Sequence, residues 1–371
     1  CIREDSLNMK KYHQLLMGIT LLLFGVCNYA GDTGPVENSD LFRVFIPNLK
    51  PGYDFSATAF YLQPGANNLG WGVITTVLPI PSPNWQVVTF NPDYQVGFNL
   101  GGRYVFANSG SDLQLNWSHL RTNDTDNVFV NPSSQWISPF SQTGTPPTPS
   151  GQITGVALLK LAHASLDFSY DAVSLDVGKF INFGSKLQTR LFTGLSSAWI
   201  KEELISTFRG FSLPILSLNN TSTYKGVGPR LGFNNSYNIS HGFNLVGQLA
   251  GSVLYGRMQP AQYQFTGTSQ QLIIAGIFVN REGLANPSVN QLVPALDAKI
   301  GLSYLYSLKQ NWDLNFEAGY MGALYFNPLS SYETNTNVIA LDTGSLSTSS
   351  AKHTQSNFSV GGPYITVSLR T

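Results

Sequence analysis

The stretch from Tyr224 to Gly256 alternates between two kinds of side chain, one residue at a time. Small or polar residues separate the apolar positions, which are Val227, Leu231, Phe233, Tyr237 and Ile239, then Phe243, Leu245, Leu249, Val253 and Tyr255. Successive side chains of a β-strand point to opposite faces, so each half predicts a two-faced strand, and Ser240-His241-Gly242 predicts a hairpin turn. An apolar face toward lipid and a polar face toward a lumen would make the chain a transmembrane β-barrel.

The low charge of the chain agrees with this interpretation. Only 11% of the 371 residues are charged, and 21 basic residues balance 21 acidic ones, whereas a soluble domain carries about 25% charged residues. After residue 30 there is no apolar run of roughly 18 residues, which a membrane-spanning helix would need. Strands that are apolar at alternate positions satisfy both observations.

The amino terminus resembles an export signal. Met9-Lys10-Lys11 is basic and Leu15 to Val26 is apolar, so residues 1–30 are interpreted as an upstream extension and a signal peptide cut after Ala30. Residues 31–52, with three prolines, are expected to form an exposed lead-in, and residues 53–371 the barrel. Both cysteines precede the cut, so no disulfide is expected to stabilise the exported part.

Alternating segments after residue 52 predict an all-β fold, a transmembrane antiparallel up-and-down barrel of about ten strands, with eight to twelve allowed. Short turns at 107–111, 182–186, 239–242 and 308–311 interleave with long loops that include 63–93, 122–160, 257–291 and 327–355. Short periplasmic turns and long extracellular loops are typical of outer-membrane barrels, so both termini are expected on the periplasmic side.

Two segments change phase part-way along. In the strand near 162–181 the apolar residues are even-numbered up to Tyr170 and odd-numbered from Val173 on, without turn residues between them. This predicts a β-bulge near Ala172-Val173, which would keep the three aspartates of that strand on the polar face. The last strand shows a similar change at 361–363.

Alternation alone does not decide which face is inside. A soluble lipocalin-like barrel would bury its apolar face. The low charge and the aromatic residues near strand ends, such as Tyr104, Trp199, Tyr255 and Trp312, favour lipid outside, with the aromatic residues at the membrane interfaces.

Four runs resemble the Legionella-type major outer membrane protein family. They are Gly52–Pro64 (GYDFSATAFYLQP), Pro92–Phe106 (PDYQVGFNLGGRYVF), Tyr170–Gly178 (YDAVSLDVG) and Gly226–Gly232 (GVGPRLG). The resemblance covers about residue 50 to the end and implies a pore-forming barrel in the bacterial outer membrane. The chain departs from many such barrels by ending in Leu369-Arg370-Thr371 instead of an aromatic residue.

Inward charges are the candidate pore-lining groups, because side chains in a channel set its electrostatic barrier. The strand phases place eleven charges inside: Asp54, Arg103, Asp167, Asp171, Asp176, Arg190, Arg230, Asp297, Lys299, Glu317 and Arg370. The signs are nearly balanced, so strong ion selectivity is not expected. Two functions stay open, namely a porin-like channel for small hydrophilic solutes or ions, and a plugged barrel whose loops make it a surface adhesin or anchor.

No other chemistry is indicated. The scattered histidines, His119, His163, His241 and His353, have neither metal spacing nor the partners of a catalytic triad. The sequence therefore predicts no metal, no cofactor, no enzymatic activity and no nucleic-acid partner. The expected partners are outer-membrane lipid and small solutes, and a homo-oligomer or surface ligands at the loops remain open.

Overall fold

The computed structural model describes residues 44–47, 49, 51–76, 85–107, 109–131, 135–140, 159–209, 215–240, 242–268, 280–285, 287–308, 312–341 and 344–371. The predicted extension and signal peptide, most of the lead-in and the turn residues 309–311 lie outside the described residues. Among the described residues, no helix is long and apolar enough to cross a membrane.

The described residues form fifteen strands. They are β1 (Val44–Phe45), β2 (Gly52–Ala66), β3 (Gly70–Thr76), β4 (Trp85–Thr89), β5 (Gln95–Val105), β6 (Ser111–Phe129), β7 (Gln135–Pro139), β8 (Leu161–Phe183), β9 (Leu187–Arg209), β10 (Ile215–Ser240), β11 (Phe243–Thr268), β12 (Asn280–Ala285), β13 (Val289–Leu308), β14 (Trp312–Leu341) and β15 (Gly344–Arg370).

Ten of these strands close into a ring. In ring order they are β2, β5, β6, β8, β9, β10, β11, β13, β14 and β15, each antiparallel to its neighbours. Pairing of β15 with β2, up to Arg370 opposite Asp54, closes the ring. Because ring order follows chain order, the fold is the predicted up-and-down barrel of about ten strands.

The short turns and the carboxyl terminus lie at one end of the ring. Three of the turns contain glycine in the left-handed region, namely Gly110 (φ 59°), Gly184 (φ 66°) and Gly242 (φ 88°). Glycine adopts this conformation without a Cβ clash, which suits tight strand connections. This end corresponds to the periplasmic side of outer-membrane barrels, so the other end is extracellular.

The predicted long loops contain regular structure. β3, β4 and β7 form a separate three-stranded sheet from two of these loops. The β14–β15 ladder continues to Leu341 opposite Gly344, so the loop predicted at 327–355 is largely a hairpin, and that prediction is wrong. Its sequence lacks alternation because a strand outside the membrane does not need an apolar outer face.

The outer face of the ring carries an apolar band on its periplasmic half. Exposed members of this band include Leu195, Leu231, Val253, Ile300 and Ile365. On β9 the band ends at Trp199, because the next outward side chains, Lys201 and Glu203, form an ion pair. A spanning strand needs roughly 9–11 residues, so the extracellular ends of β8 to β11 extend beyond the band.

The inward-facing side chains change from polar to apolar at the level where the apolar outer band ends. In β8, even-numbered side chains face inward from Ala162 to Phe180, and the β6–β8 ladder keeps one register throughout. The predicted bulge at Ala172-Val173 and the predicted phase change at 361–363 are therefore both wrong. The apolar residues of the two faces belong to different levels, because the extracellular half of the interior is itself apolar.

Candidate pore

The periplasmic half of the interior contains a polar cavity of about 430 Å³. Amide and hydroxyl side chains form much of its wall, together with eight of the eleven charges expected inside: Asp54, Arg103, Arg190, Arg230, Asp297, Lys299, Glu317 and Arg370. Asp176 also faces inward, but it is only 2% exposed and lies against Arg230. The role of these groups in conduction stays a prediction.

One ion pair crosses over an intervening strand. Arg190 of β9 contacts Asp112 of β6 at 2.7 Å, although β8 lies between these strands in the ring. The bridge passes over Gly178 of β8, where an added Cβ would lie 2.5 Å from both the arginine Nε and an aspartate Oδ1. Glycine at this position therefore makes room for the pair.

Arg230 of β10 contacts carboxylates from two directions. Its guanidinium lies 2.5 Å from Asp297 of β13 and 3.8 Å from Asp176 of β8. On the β9 side, Gly194 leaves space for the carboxylate, since a Cβ there would approach Asp176 Oδ1 to 2.6 Å. Arg230 thus ties together strands that are not neighbours in the ring.

Two further pairs of interior charges lie on neighbouring strands. Lys299 lies 2.8 Å from Glu317, which also accepts a 2.6 Å hydrogen bond from the Tyr364 hydroxyl. Arg103 pairs with Asp54 on the neighbouring strand. Close opposite charges screen one another, so these pairs add little net field of either sign to the cavity wall.

Two tyrosines close the lumen above this cavity. The Tyr170 hydroxyl of β8 lies 3.0 Å from the Tyr325 hydroxyl of β14. These strands are five positions apart in a ring of ten, so the hydrogen bond joins opposite walls. Phe358 of β15 packs against both rings, at centroid distances of 5.7 Å and 6.3 Å. The lumen is therefore blocked at this level.

Apolar side chains fill the interior on the extracellular side of these tyrosines. The buried set includes Phe60, Leu62, Leu120, Leu166, Phe168, Ile200, Leu204, Leu218, Leu254 and Leu329. These residues come from most strands of the ring, so they form a continuous core and not a lining. A hydrated solute would lose its water here, which is costly.

The sheet of β3, β4 and β7 packs against the extracellular end of the ring. Its Trp71 lies 5.9 Å from Phe208 of β9, measured between ring centroids, and Ile137 of β7 is fully buried in the same core. Two of the predicted loops thus contribute a cap to the barrel mouth.

Glu202 lies within this apolar region and is 1% exposed. It is three residues beyond Trp199, hence roughly 10 Å past the end of the apolar outer band. Its Oε1 accepts a 2.8 Å hydrogen bond from Asn68 Nδ2, at the start of the cap. Burial raises the pKa of this carboxyl to about 8, and the Asn68 hydrogen bond partly opposes that shift.

Asp167 and Asp171 face outward, so their predicted inward placement is wrong. Asp171 lies on the outer surface, where it accepts a hydrogen bond from Trp117 Nε1 at 3.2 Å and contacts His119 Nδ1 at 2.7 Å. Asp167 also lies on the outer face, half-buried, where it accepts a hydrogen bond from Asn123 Nδ2. The inward placement was wrong because it depended on the predicted β-bulge. Without a bulge, β8 keeps one phase, and its odd-numbered residues all point outward.

The sequence interpretation also missed three functional candidates. Asp112 directly follows the turn at 107–111, and it has the same parity as the inward Gln114, so the alternation already contained the signal. Tyr170 and Tyr325 could not be recognised, because a hydrogen bond across the lumen requires the ring order and the register of opposite strands.

In the part of the chain that the structure describes, no three His, Cys, Asp or Glu side chains converge on a possible metal position. His119 is engaged with Asp171, and His163 Nδ1 lies 2.8 Å from Asn127 Oδ1. The expected lack of metal, cofactor and enzymatic activity remains a prediction.

Three solved structures match this chain at low identity. The protease OmpT from Escherichia coli matches with a TM-score of 0.39 and 9% identity, over 87% of this chain and 98% of that one. The translocator domain of NalP from Neisseria meningitidis matches with a TM-score of 0.31 and 11% identity, over 98% and 96%. A major outer membrane protein from Thermus thermophilus matches with a TM-score of 0.26 and 10% identity, over 67% and 98%. Similarity this low carries no conclusion about function.

No curated protein matches the sequence. The family described as Legionella pneumophila major outer membrane protein precursor matches residues 45–371, which include the whole ring. Together with the closed ten-strand barrel and its apolar outer band, this match confirms both the expected family and the expected location. The chain belongs to the Legionella major outer membrane protein family and is a β-barrel of the bacterial outer membrane.

Proposed function

We propose that the barrel is a porin-like channel for passive diffusion of small hydrophilic solutes or ions across the outer membrane. The observation that carries the proposal is the polar cavity of about 430 Å³ in the membrane-embedded half, lined by charges and amides. A barrel that served only as an anchor would need no charges at this depth, because burying them is costly even in pairs.

Passage requires an opening of the extracellular half. The Tyr170–Tyr325 hydrogen bond and the core above it block the axis. A single hydrogen bond contributes only about 1 kcal/mol net, so the bridge between the two hydroxyls opposes opening only weakly. Conduction is therefore expected to be intermittent, with long closed intervals.

The test is conductance of the purified barrel in planar lipid bilayers. The double variant Tyr170→Ala/Tyr325→Ala should increase the open fraction or the step size, because it removes both side chains of the bridge. Tyr320→Ala is the matched control, since this tyrosine of β14 is 51% exposed on the outer face. If neither the wild type nor the double variant showed conductance at high protein load, the channel proposal would be refuted.

The extracellular closure also favours a second candidate, a plugged barrel that acts through its outer surface as an adhesin or structural anchor. The cap of β3, β4 and β7 and the long β14–β15 hairpin would then present the binding surface. In that case the bilayer measurements would stay silent, and removal of the cap would abolish surface binding by intact cells without changing their permeability to small solutes.

A further inference from the structure

We propose that Lys225 and Arg257, beside Trp199, form a binding site for the phosphate of an anionic lipid headgroup in the outer leaflet. The site lies on the outer face of β9, β10 and β11, at the extracellular end of the apolar band. It is independent of whether the barrel conducts.

The register brings the three side chains together. Lys225 of β10 is directly opposite Trp199 of β9 on one side and Arg257 of β11 on the other. Directly opposite residues have Cβ atoms about 4.5–5.5 Å apart. The two cationic side chains are therefore close enough to contact the same phosphate group. The ammonium of Lys225 lies 3.6 Å from the centroid of the Trp199 ring, which fixes its position.

The neighbouring groups leave a net positive patch. Arg257 donates a 2.6 Å hydrogen bond to the hydroxyl of Ser288, a neutral partner that keeps the positive charge uncompensated. Two outward carboxylates lie near Trp199: Glu203 of β9 is held by Lys201 at 2.7 Å, and Asp171 of β8, on the far side of Trp199 from Lys225, contacts His119 at 2.7 Å. The two cations of β10 and β11 therefore face the membrane surface without a carboxylate ion partner among the described residues.

Position selects lipid as the source of the phosphate. The outward residues one step toward the periplasm from the cations are Val227 and Tyr255, which are 54% and 57% exposed in the apolar band. A lipid whose acyl chains lie along that band has its headgroup at the level of the cations. Interfacial Lys and Arg side chains reach toward headgroups, and each contributes to binding of anionic lipid.

The experiment is titration of the folded full-length barrel in neutral detergent with short-chain phosphatidic acid. Diacylglycerol with the same chains is the comparison, because it differs only by the phosphate. Wild type should bind phosphatidic acid more tightly than it binds diacylglycerol. The double variant Lys225→Gln/Arg257→Gln should weaken the binding of phosphatidic acid by roughly 25-fold, because each cation contributes about fivefold. The preference should also decrease with added salt.

Arg121→Gln is the matched control, because Arg121 is an exposed outward arginine on β6, on another part of the ring. Its variant should bind as wild type does. Should the double variant fold poorly, each single variant is measured, with an expected loss of about fivefold. Unchanged affinity in the double variant, an equal loss in the control, or saturation by inorganic phosphate at the same concentration would each overturn the lipid assignment.

Discussion

Replacing Glu202 with glutamine should remove a pH dependence from the stability of the barrel. The carboxyl is 1% exposed, and burial raises its pKa from 4.5 to about 8. The folded state therefore holds a proton that the unfolded state releases as the pH increases from 4.5 to 8. The contribution of Glu202 to stability is therefore largest below pH 4.5, declines through this window and is constant above it.

The size of the effect follows from the shift. Each pKa unit corresponds to 1.36 kcal/mol, so ionisation of Glu202 costs about 5 kcal/mol above pH 8 and about 2 kcal/mol at pH 6. Glutamine has the shape of the protonated acid, and its Oε1 can accept the hydrogen bond from Asn68. The Glu202→Gln variant should match wild type near pH 5 and exceed it at pH 8 to 9.

The assay is thermal unfolding of the purified barrel in detergent between pH 5 and pH 9, comparing wild type with the variant at each pH. The comparison cancels the pH dependence that other groups contribute equally to both proteins. Glu203→Gln is the control, because this neighbouring residue points outward to Lys201. A constant difference between wild type and Glu202→Gln across the pH range, or an equal effect of Glu203→Gln, would refute the argument.

Three further substitutions test the placement of individual charged and small side chains, two inside the barrel and one on its outer surface. Gly178→Ala should destabilise the barrel by about 1–3 kcal/mol, because the added methyl group meets the Arg190–Asp112 pair, and a denaturant titration would measure the loss. Arg230→Ala should destabilise the barrel, by at most about 3–5 kcal/mol, since it leaves the buried Asp176 and the partly exposed Asp297 without this cation, and any conductance should become more cation-selective in salt-gradient measurements. Asp171→Asn should change neither conductance nor selectivity, because the side chain lies on the outer surface; a clear change in either would contradict that placement.

Much of the barrel could be predicted from the sequence because lipid imposes a simple rule on it. Every strand that crosses the apolar band must present apolar side chains to lipid at alternate positions, and Leu231, Val253 and Ile365 all obey this rule. The alternation gave the strand count, the short turns and the inward direction of nine of the eleven charges, all except Asp167 and Asp171. The extracellular parts of the strands are not bound by that rule, so their extent was missed.

The candidate site was predicted less completely, since a closure depends on contacts between distant strands. Asp112 and Arg190 could each be assigned to the interior, but their pairing across β8 depends on Gly178. The Tyr170–Tyr325 bridge depends on the register of walls five strands apart. Alternation reports which way a side chain points, and it does not report what the side chain meets.

β8 shows why one strand can appear to contain a bulge when it has none. Where it crosses the band, Val173 and Val177 face lipid, while Asp176 faces the polar cavity. Nearer the extracellular end of β8, Asp167 faces water and Phe168 faces the core. Polar and apolar side chains thus exchange faces without any change in backbone phase. The hydrophobic effect explains the exchange, because the apolar surface turns toward lipid in the membrane and toward the interior outside it. An apolar interior beyond the membrane is thus the stable arrangement for strands that extend past the bilayer, and the same core that stabilises this extension closes the lumen.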